Sequence, residues 1–413
     1  MDKLKFALIG CGGMGTRHLY GLRELAKTPF NNIELCALCD LNRDNAELAA
    51  REAEQLLGSM PPIFTSIEEM AQAIPDLMAV DVVTDPSVHH TVVCEALDLG
   101  LHVLVEKPMA ISVKACHAMN EAAERNGRKL SVAENYRRDP SARLTRHLLD
   151  TGRIGTPYMA TLHAMRGGNE IFITPWRHLK DRGGPLIDMG VHYADLIRYQ
   201  LGDVVEVYGD TRLVEPVRKK QQSIGDRYEF YQQRFRAMPS EVPATAEDTA
   251  MAMMKMDSGV MVSFIVGIGG HGACRSQLIL GDKGCLQSYG SRGSQAIWQS
   301  ADGEVRDQNA ILSAVDDFEL HPLLDHFFPT KNSVGDQAVD WKLIAYEQYE
   351  LACAVLNDDP IEVDGLEGMK DVAAIYAICE SARASRTVTA AEIESGELYE
   401  YQAEIDAALN INT

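Results

Sequence analysis

The sequence predicts an α/β protein with two domains: a doubly wound parallel sheet at the amino terminus, followed by an α+β domain with an open, largely antiparallel sheet. Three observations support this fold. Apolar strand-like runs alternate with helical patterns over residues 1–134. A glycine-rich turn directly follows the first run. After Pro157 the predicted strands are longer and mostly follow one another directly. We therefore expect domains at 1–134 and 135–413.

The elements follow from the periodicity of apolar residues in each domain. In the first domain, strands are predicted at 4–9, 33–40, 62–65, 78–84, 102–106 and 129–134. In the second domain, strands are predicted at 157–165, 204–214, 249–256, 259–268 and 275–281, with helices near 183–200, 320–357 and 366–385. Residues 217–246 are polar, and we interpret them as an irregular insertion that could cover a site or a subunit contact.

The apolar run from Leu4 to Ile9 passes directly into a GxGxxG turn. In such a turn the first glycine permits a tight bend, the second lets the backbone approach a pyrophosphate, and the third allows the next helix to pack on the strand. The amino terminus of that helix faces the phosphates with free N–H groups. The residues of the turn predicted to hold a dinucleotide are Gly10, Gly12, Gly13, Met14 and Gly15.

Asp40 ends the second predicted strand, somewhat further from the turn than the ~20 residues typical of dinucleotide sites. Its carboxylate can accept hydrogen bonds from the adenosine ribose hydroxyls and would repel a 2′-phosphate, so NAD is favoured over NADP. Arg43, which could pair with a 2′-phosphate, keeps NADP open. The alternative is that Asp40 only caps the helix beginning near Arg43.

Composition limits the classes of partner. The 413 residues are 46% hydrophobic and 24% charged, which is typical of a globular protein, and the formal net charge of −21 disfavours nucleic acids and anionic membranes. We find no export signal and no apolar stretch near the ~20 residues that span a bilayer. The nine cysteines are scattered, so we expect a reducing cytoplasm. Cys36 and Cys39 lie within one predicted strand, where they point to opposite faces and cannot share a metal.

Candidate chemistry lies at two places in the chain. Lys107 follows the predicted strand 102–106 directly, at the sheet edge where ligands bind in this class of fold. Asp188 and His192 are four residues apart, one turn along a predicted helix and on a common face. A carboxylate and an imidazole in that arrangement can share a proton-transfer task. The alternatives are a surface lysine at 107 and a core histidine at 192.

Several motifs in a fixed order resemble the Gfo/Idh/MocA oxidoreductase family, which includes relatives of glucose-fructose oxidoreductase and inositol dehydrogenase. The resemblance covers nearly the whole chain. It rests on the glycine turn, Thr84-Asp-Pro86-Ser-Val-His-His90, Glu106-Lys107-Pro108, Glu134-Asn135-Tyr136, Trp176-Arg177 and the Asp188/His192 helix.

The resemblance implies an NAD-binding Rossmann domain at 1–134 and a substrate-binding and oligomerisation domain at 135–413. It implies a catalytic group of Lys107, Asp188 and His192. The residues implied around the cofactor are Thr84, Pro86, His90, Glu106, Lys107, Asn135, Trp176 and Arg177. Those expected at the substrate are Lys107, Tyr136, Asp188, His192, His271 and Arg275, of which Tyr136, His271 and Arg275 could equally be only solvated. Trp176 could instead be core packing or a subunit contact.

Three functions remain open at this point. The leading one is NAD-dependent hydride transfer from a secondary carbinol carbon of a sugar or polyol, with His192 or Lys107 as general base and Asp188 orienting its neighbours. The second is a redox glycosidase, in which C3 is transiently oxidised, the aglycone is eliminated and the hydride returns. The third is a cofactor-bound sensor without catalysis. The insertion at 217–246 leaves room for a larger glycoside.

The expected partners are a small carbohydrate and, by resemblance, further copies of the chain in a homodimer or homotetramer. No metal is expected, because the acidic and histidine residues lack ligand spacing apart from the Asp188/His192 pair. Lys180, Arg182 and Arg275 are candidates for recognising an anionic substituent on the sugar.

Overall fold

The computed structural model describes residues 3–223 and 229–411. Its strands are β1 (Leu4–Ile9), β2 (Ile33–Cys39), β3 (Ile63–Phe64), β4 (Ala79–Val82), β5 (His102–Glu106), β6 (Leu130–Ala133), β7 (Pro157–Arg166), β8 (Val204–Arg212), β9 (Val217–Lys219), β10 (Glu241–Pro243), β11 (Thr249–Met256), β12 (Met261–Gly267), β13 (Ala273–Gly281), β14 (Gly284–Ser288), β15 (Ile297–Ser300), β16 (Val305–Arg306) and β17 (Val388–Thr389). Its α-helices are α1 (Gly13–Ala26), α2 (Arg43–Leu57), α3 (Ile67–Ala73), α4 (His89–Asp98), α5 (Val113–Asn126), α6 (Pro140–Asp150), α7 (Gly184–Leu201), α8 (Glu229–Ala237), α9 (Gln308–Ala314), α10 (Pro322–Phe327), α11 (Val339–Asn357), α12 (Gly365–Ala384), α13 (Ala390–Glu394) and α14 (Ala403–Ala408).

The chain divides into two compact units. The first consists of Met1–Glu134, Gln222–Met238 and Asp340–Met369, and the second of Asn135–Gln221, Pro239–Val339 and Lys370–Thr413. Two segments expected in the second domain, 222–238 and 340–369, are thus grouped with the first unit. Residues 340–369 are grouped with the first unit because α11 packs closely on α1. A Cβ added to Gly21 of α1 would lie only 2.7 Å from the Ile344 side chain of α11. The domain assignment itself remains a prediction.

The first unit contains a six-stranded parallel sheet in the order β3-β2-β1-β4-β5-β6, which confirms the predicted doubly wound sheet. The strand order reverses between β1 and β4, the position at which such sheets bind ligands. The strands β4 and β6 are buried at every residue, as expected for a parallel sheet covered on both faces.

The second unit contains a nine-stranded sheet in the order β16-β15-β14-β13-β7-β12-β11-β8-β17. Only its β7–β12 pair is parallel, so the expectation of a largely antiparallel sheet is confirmed. Helix α7 is buried along almost its whole length. Helix α7 also packs closely on α12. The closeness is shown at Gly190, where an added Cβ would lie 2.8 Å from the Ile375 side chain.

Two expectations about the elements are wrong. The segment 217–246 is not irregular, since β9 and β10 form an antiparallel pair within it and α8 lies between them; residues 224–228 of this segment lie outside the described part of the chain. The predicted helix 320–357 is two helices, α10 and α11. Pro329 disfavours helical backbone at Phe328, which caps α10 with φ −130° and ψ 68°. Gly335 then adopts a left-handed turn with φ +78°.

Candidate active site

The glycine turn of the first unit has the geometry that a dinucleotide requires. Gly10 has φ +96°, and a Cβ there would lie 2.6 Å from the carbonyl oxygen of Val83. A Cβ on Gly15 would lie 2.1 Å from the carbonyl oxygen of Gly10, so only glycine allows α1 to start this close to β1. No side chain caps the amino terminus of α1 and its first turn carries no acidic residue, so nothing of its own neutralises the helix dipole there.

Asp40 lies just beyond β2 and contacts this turn. Its Oδ2 accepts a hydrogen bond from the Cys11 backbone N–H at 2.8 Å, and its Oδ1 accepts one from Asn42 N–H at 2.8 Å. The alternative role as a helix cap is not what the structure shows, because the Asn42 side chain caps α2. Arg43 is exposed and pairs with Glu47 at 3.2 Å. The acidic group beside the glycine turn fits an adenosine ribose.

Two aromatic side chains that the sequence did not point to cover the same turn. A Cβ on Gly12 would lie 3.4 Å from Cζ of Phe230, and one on Gly13 would lie 2.2 Å from Cζ of Tyr231. Both aromatics belong to α8, within the segment interpreted as an insertion. The guanidinium of Arg17 lies 5.6 Å from the centre of the Tyr231 ring. Helix α8 therefore lies against the predicted phosphate-binding turn.

The ends of β4 and β5 are joined by a histidine. Sequence reasoning named His90, but the buried neighbour His89 makes the link: its Nδ1 lies 3.0 Å from the Pro108 carbonyl oxygen and its Nε2 lies 3.3 Å from that of Thr84. Burial lowers the pKa of His89 below its usual value. His90 is half-buried, with its Nε2 3.3 Å from the Thr91 hydroxyl. Pro86 is buried at the start of the turn after β4.

Among the residues that the family resemblance implies at the cofactor, two have a buried polar atom that lacks a hydrogen-bond partner within the described residues. These atoms are the Thr84 hydroxyl of the first unit and the Asn135 side-chain oxygen of the second. Buried polar atoms in folded proteins are normally paired, so each is free to bind a ligand. Together with the glycine turn and Asp40, the Thr84 hydroxyl makes the first unit a good fit for a dinucleotide.

Glu106 ends β5 and Lys107 follows it, joined to Pro108 by a cis peptide bond. Glu106 is 8% exposed, and its Oε2 lies 3.2 Å from Nε2 of His18 on α1. His18 is a further residue that the sequence analysis missed. The signal that could have found it is Asp81, a carboxylate inside the buried strand β4 that must have a partner.

In the second unit, Asp188 and His192 lie on α7 and are 6% and 8% exposed. His192 stacks on Tyr136, with ring centres 4.1 Å apart and planes 6° from parallel. The guanidinium of Arg292 lies over the ring of Tyr136, 5.2 Å from its centre. The imidazole of His192 is thus held in one orientation between an aromatic ring and the helix that carries it.

Arg177 fixes the carboxylate of this pair. Its Nε donates to Asp188 Oδ2 at 2.9 Å, and its Nη1 donates to the Thr174 hydroxyl at 2.7 Å. The guanidinium also lies 4.3 Å from the Trp176 ring centre, so Trp176 supports Arg177 by a cation–π contact. The predicted residues Trp176, Arg177 and Asp188 are therefore brought together.

Apart from Lys107, the residues expected at the substrate lie in the second unit. Arg275 on β13 lines an open groove of about 570 Å³ together with Met165, Arg166, Ala273, Tyr289 and Ser291. His271 is exposed just before β13. Lys180 is not available as an anion-binding group, because it pairs with Glu404 and lies 3.8 Å from the Tyr401 ring centre. Among the described residues, no cluster of three or more histidine, cysteine or acidic side chains could hold a metal, and Cys36 and Cys39 are free thiols.

Comparisons with known proteins agree with this fold. Residues 4–134 match the family model of the Gfo/Idh/MocA oxidoreductases with an NAD-binding Rossmann fold, and residues 142–287 match the C-terminal domain of the same family. The chain is 25% identical to D-apiose dehydrogenase from Paraburkholderia graminis over 406 residues, covering 96% of this chain and 92% of that protein. It is 29% identical over 175 residues to glycosyl hydrolase family 109 protein 1 from Akkermansia muciniphila, covering 40% of this chain and 35% of that protein.

Among solved structures, levoglucosan dehydrogenase in complex with NADH and L-sorbose superposes with a TM-score of 0.75 at 22% identity, covering 95% of this chain and 100% of that one. This likeness shows the fold. The fold and the glycine turn define an NAD-binding oxidoreductase. The chain belongs to the Gfo/Idh/MocA oxidoreductase family, which confirms the resemblance and the choice of NAD as cofactor. No helix in the described ranges is long and apolar enough to cross a membrane.

Proposed function

We propose that this protein is an NAD-dependent dehydrogenase that oxidises a secondary hydroxyl of a sugar, polyol or glycoside. The observation that carries the proposal is the pair of buried groups on α7, Asp188 and His192, each held by a dedicated partner. A buried carboxylate and imidazole on one helix face are suited to proton transfer, and an NAD-binding domain precedes them in the chain.

Lys107, Asp188 and His192 form the proposed catalytic group. NAD+, when bound, supplies the acceptor for the hydride that leaves the carbinol carbon. The hydroxyl proton leaves with it, and Lys107 or His192 takes this proton as general base. Asp188 binds and orients the substrate hydroxyl. Gly10, Gly12, Gly13, Met14 and Gly15 would hold the pyrophosphate and Asp40 the ribose.

The supporting contacts explain why these side chains are suited to the task. Stacking on Tyr136 fixes the plane of the His192 ring. The ion pair from Arg177 orients the Asp188 carboxylate. Groups that are already oriented lower the barrier, because less freedom is lost in reaching the transition state.

A carbohydrate is the substrate class that we propose. The relative that matches almost the whole chain is a dehydrogenase of D-apiose, a sugar. The polar lining of the open groove consists of two arginines, a tyrosine and a serine, which suits a ligand with several hydroxyl groups.

The experiment that tests the function is a measurement of NADH with a panel of sugars, polyols and aryl glycosides. A dehydrogenase accumulates NADH in proportion to the oxidised product. A redox glycosidase, suggested by the partial match to a glycosyl hydrolase, releases the aglycone with no net NADH. A protein that binds NAD without turning over any member of the panel would be a sensor, and the proposal would be wrong.

We also propose that two or more copies of the chain associate through the exposed face of the nine-stranded sheet. This face carries large apolar side chains on neighbouring strands: Tyr208 on β8, Met251 and Met253 on β11, and Met261 on β12 are each more than half exposed. Met253 lies directly opposite Tyr208 in the β8–β11 register. Adjacent apolar side chains on an open sheet face support an interaction surface.

A further inference from the structure

A buried polar network in the first unit connects α1, β4, β5 and α11. His18 of α1 is fully buried, with Nδ1 2.8 Å from Asp81 Oδ2 and Nε2 3.2 Å from Glu106 Oε2. Gln348 of α11 donates to the same Asp81 oxygen at 3.1 Å and to the His18 backbone carbonyl at 3.2 Å. His18 is therefore held between two carboxylates from adjacent strands.

The geometry determines the charge of His18. An ionised carboxylate only accepts hydrogen bonds, and a neutral imidazole has a single N–H to donate. Since each ring nitrogen faces a carboxylate oxygen, His18 satisfies both only as an imidazolium. Burial by itself lowers the pKa of His18, but the Asp81 and Glu106 carboxylates outweigh burial and hold the pKa well above its usual value.

One end of the network is fully buried, and the other end lies next to the proposed catalytic lysine. Asp81 and Gln348 are fully buried, in the middle of the sheet and on a covering helix. Glu106 is the last residue of β5, and the next residue is Lys107. His18 itself lies on the helix that begins at the glycine turn. His18 thus joins the helix expected at the cofactor phosphates to the end of the strand that carries the lysine.

We propose that His18 is a positioning residue for the dehydrogenase reaction: through Glu106 it fixes the end of β5, and with it Lys107, relative to the phosphate-binding turn of α1. The inference rests on the proposed function. A core of this kind is costly, because two carboxylates and an imidazolium must be removed from water. Apolar side chains would fill the same space at lower cost, which argues that the network serves the placement of Glu106 and Lys107.

The test compares His18→Gln with a matched control, His102→Gln. His102 lies on the same strand, β5, at its opposite end, where its Nδ1 accepts from Lys129 N–H at 2.9 Å. Both variants replace a histidine of the first unit by the same amide. Steady-state kinetics with the best sugar of the panel and calorimetric binding of NADH are measured for the wild type and both variants.

We expect His18→Gln to lower kcat by roughly 10- to 100-fold, because displacing a catalytic group by about 1 Å costs up to ~10² in rate. Its sugar KM and NADH affinity should stay within about threefold, since a small shift of Lys107 acts mainly on the proton-transfer step. His102→Gln should keep the wild-type kcat. A His18→Gln protein that is folded and turns over at the wild-type rate overturns the inference and leaves the proposed function intact.

A purely structural role predicts a different pattern, in which kcat and NADH affinity fall together, and that result also overturns the inference. A measurement on the wild type guards against a variant that fails to fold. With ¹⁵N-labelled histidine, His18 should show two protonated ring nitrogens at neutral pH, and a single protonated nitrogen contradicts the network as described. A wild type that binds NADH but oxidises no sugar overturns the proposed function, and the inference with it.

Discussion

At the scale of single residues, the candidate site consists of polar side chains that are held by specific partners. Lys107→Ala and His192→Ala should each lower kcat by about 10²–10⁴, the usual contribution of a general acid–base group, while NAD+ affinity is largely retained. Steady-state kinetics and calorimetry measure the two quantities. Lys114→Ala, on α5, is the control. Near-normal turnover in both site variants would refute these roles.

His178 is a second residue whose environment makes a measurable prediction. Burial, with the charges of Arg218 and Arg177, lowers the pKa of His178 to about 4. The unfolded chain, with a pKa near ~6.5, therefore binds more protons than the folded protein between these values. The stability contributed by the neutral ring is present above pH ~6.5 and is lost as the pH falls towards 4.

His178→Gln should remove this dependence, since the glutamine oxygen can replace Nε2 as acceptor for the Phe172 N–H at 2.9 Å. Between pH 7 and pH 5 the wild type should lose about 2 kcal/mol more unfolding free energy than the variant, on the order expected for one such histidine. Urea unfolding at both pH values measures the difference. Equal losses in the two proteins would show that His178 is not neutral in the folded state.

At the scale of elements, α8 is the feature that most affects the cofactor site. Phe230 and Tyr231 lie against Gly12 and Gly13, where the backbone must approach a pyrophosphate. A ring in that place has to move before the phosphates can bind. Phe230→Ala should therefore bind NAD+ several-fold more tightly and with a faster association rate, and Phe235→Ala on the same helix should not.

Stopped-flow fluorescence and calorimetry with NAD+ test this prediction. Weaker binding in Phe230→Ala, with the Phe235→Ala control unchanged, would mean that the ring is part of the bound state instead of an obstacle to it. The sequence led to the expectation that 217–246 could cover a site, but it did not indicate which side chains would do so, because contacts between residues far apart in the chain leave no local pattern.

Other elements were predictable because a local pattern specifies them. The apolar run of β1 and the glycines after it define strand, turn and helix together, and the spacing of Asp188 and His192 defines one face of α7. The break between α10 and α11 was missed because the apolar pattern on both sides hid the effect of Pro329. His18 was missed because its partners, Asp81 and Glu106, come from two other elements, and only the folded sheet brings them together.

At the scale of the whole molecule, the exposed sheet face predicts association of copies of the chain. Met253→Glu would place a charge among apolar side chains at a contact, which is costly when the charge is buried without a partner. This variant should shift the protein towards monomer in light scattering coupled to size exclusion. Met60→Glu, an exposed methionine of the first unit, is the control. A wild type that is already monomeric would contradict the proposed contact.

The two units make separate contributions to the activity that we propose. The first provides the glycine turn, Asp40 and Lys107, and the second provides Asp188 and His192 with their partners Arg177 and Tyr136. The use of NAD as cofactor follows from family membership. The carbohydrate substrate is the proposal that experiment has to test.

The most direct measurement is transfer of deuterium from a sugar or polyol labelled at its carbinol carbon. The account predicts that NADH accumulates in step with the oxidised product and that the deuterium appears on the coenzyme. It also predicts that Lys107→Ala slows this transfer while the coenzyme still binds. Product that forms with no labelled NADH, or an aglycone released without any NADH, would contradict the account.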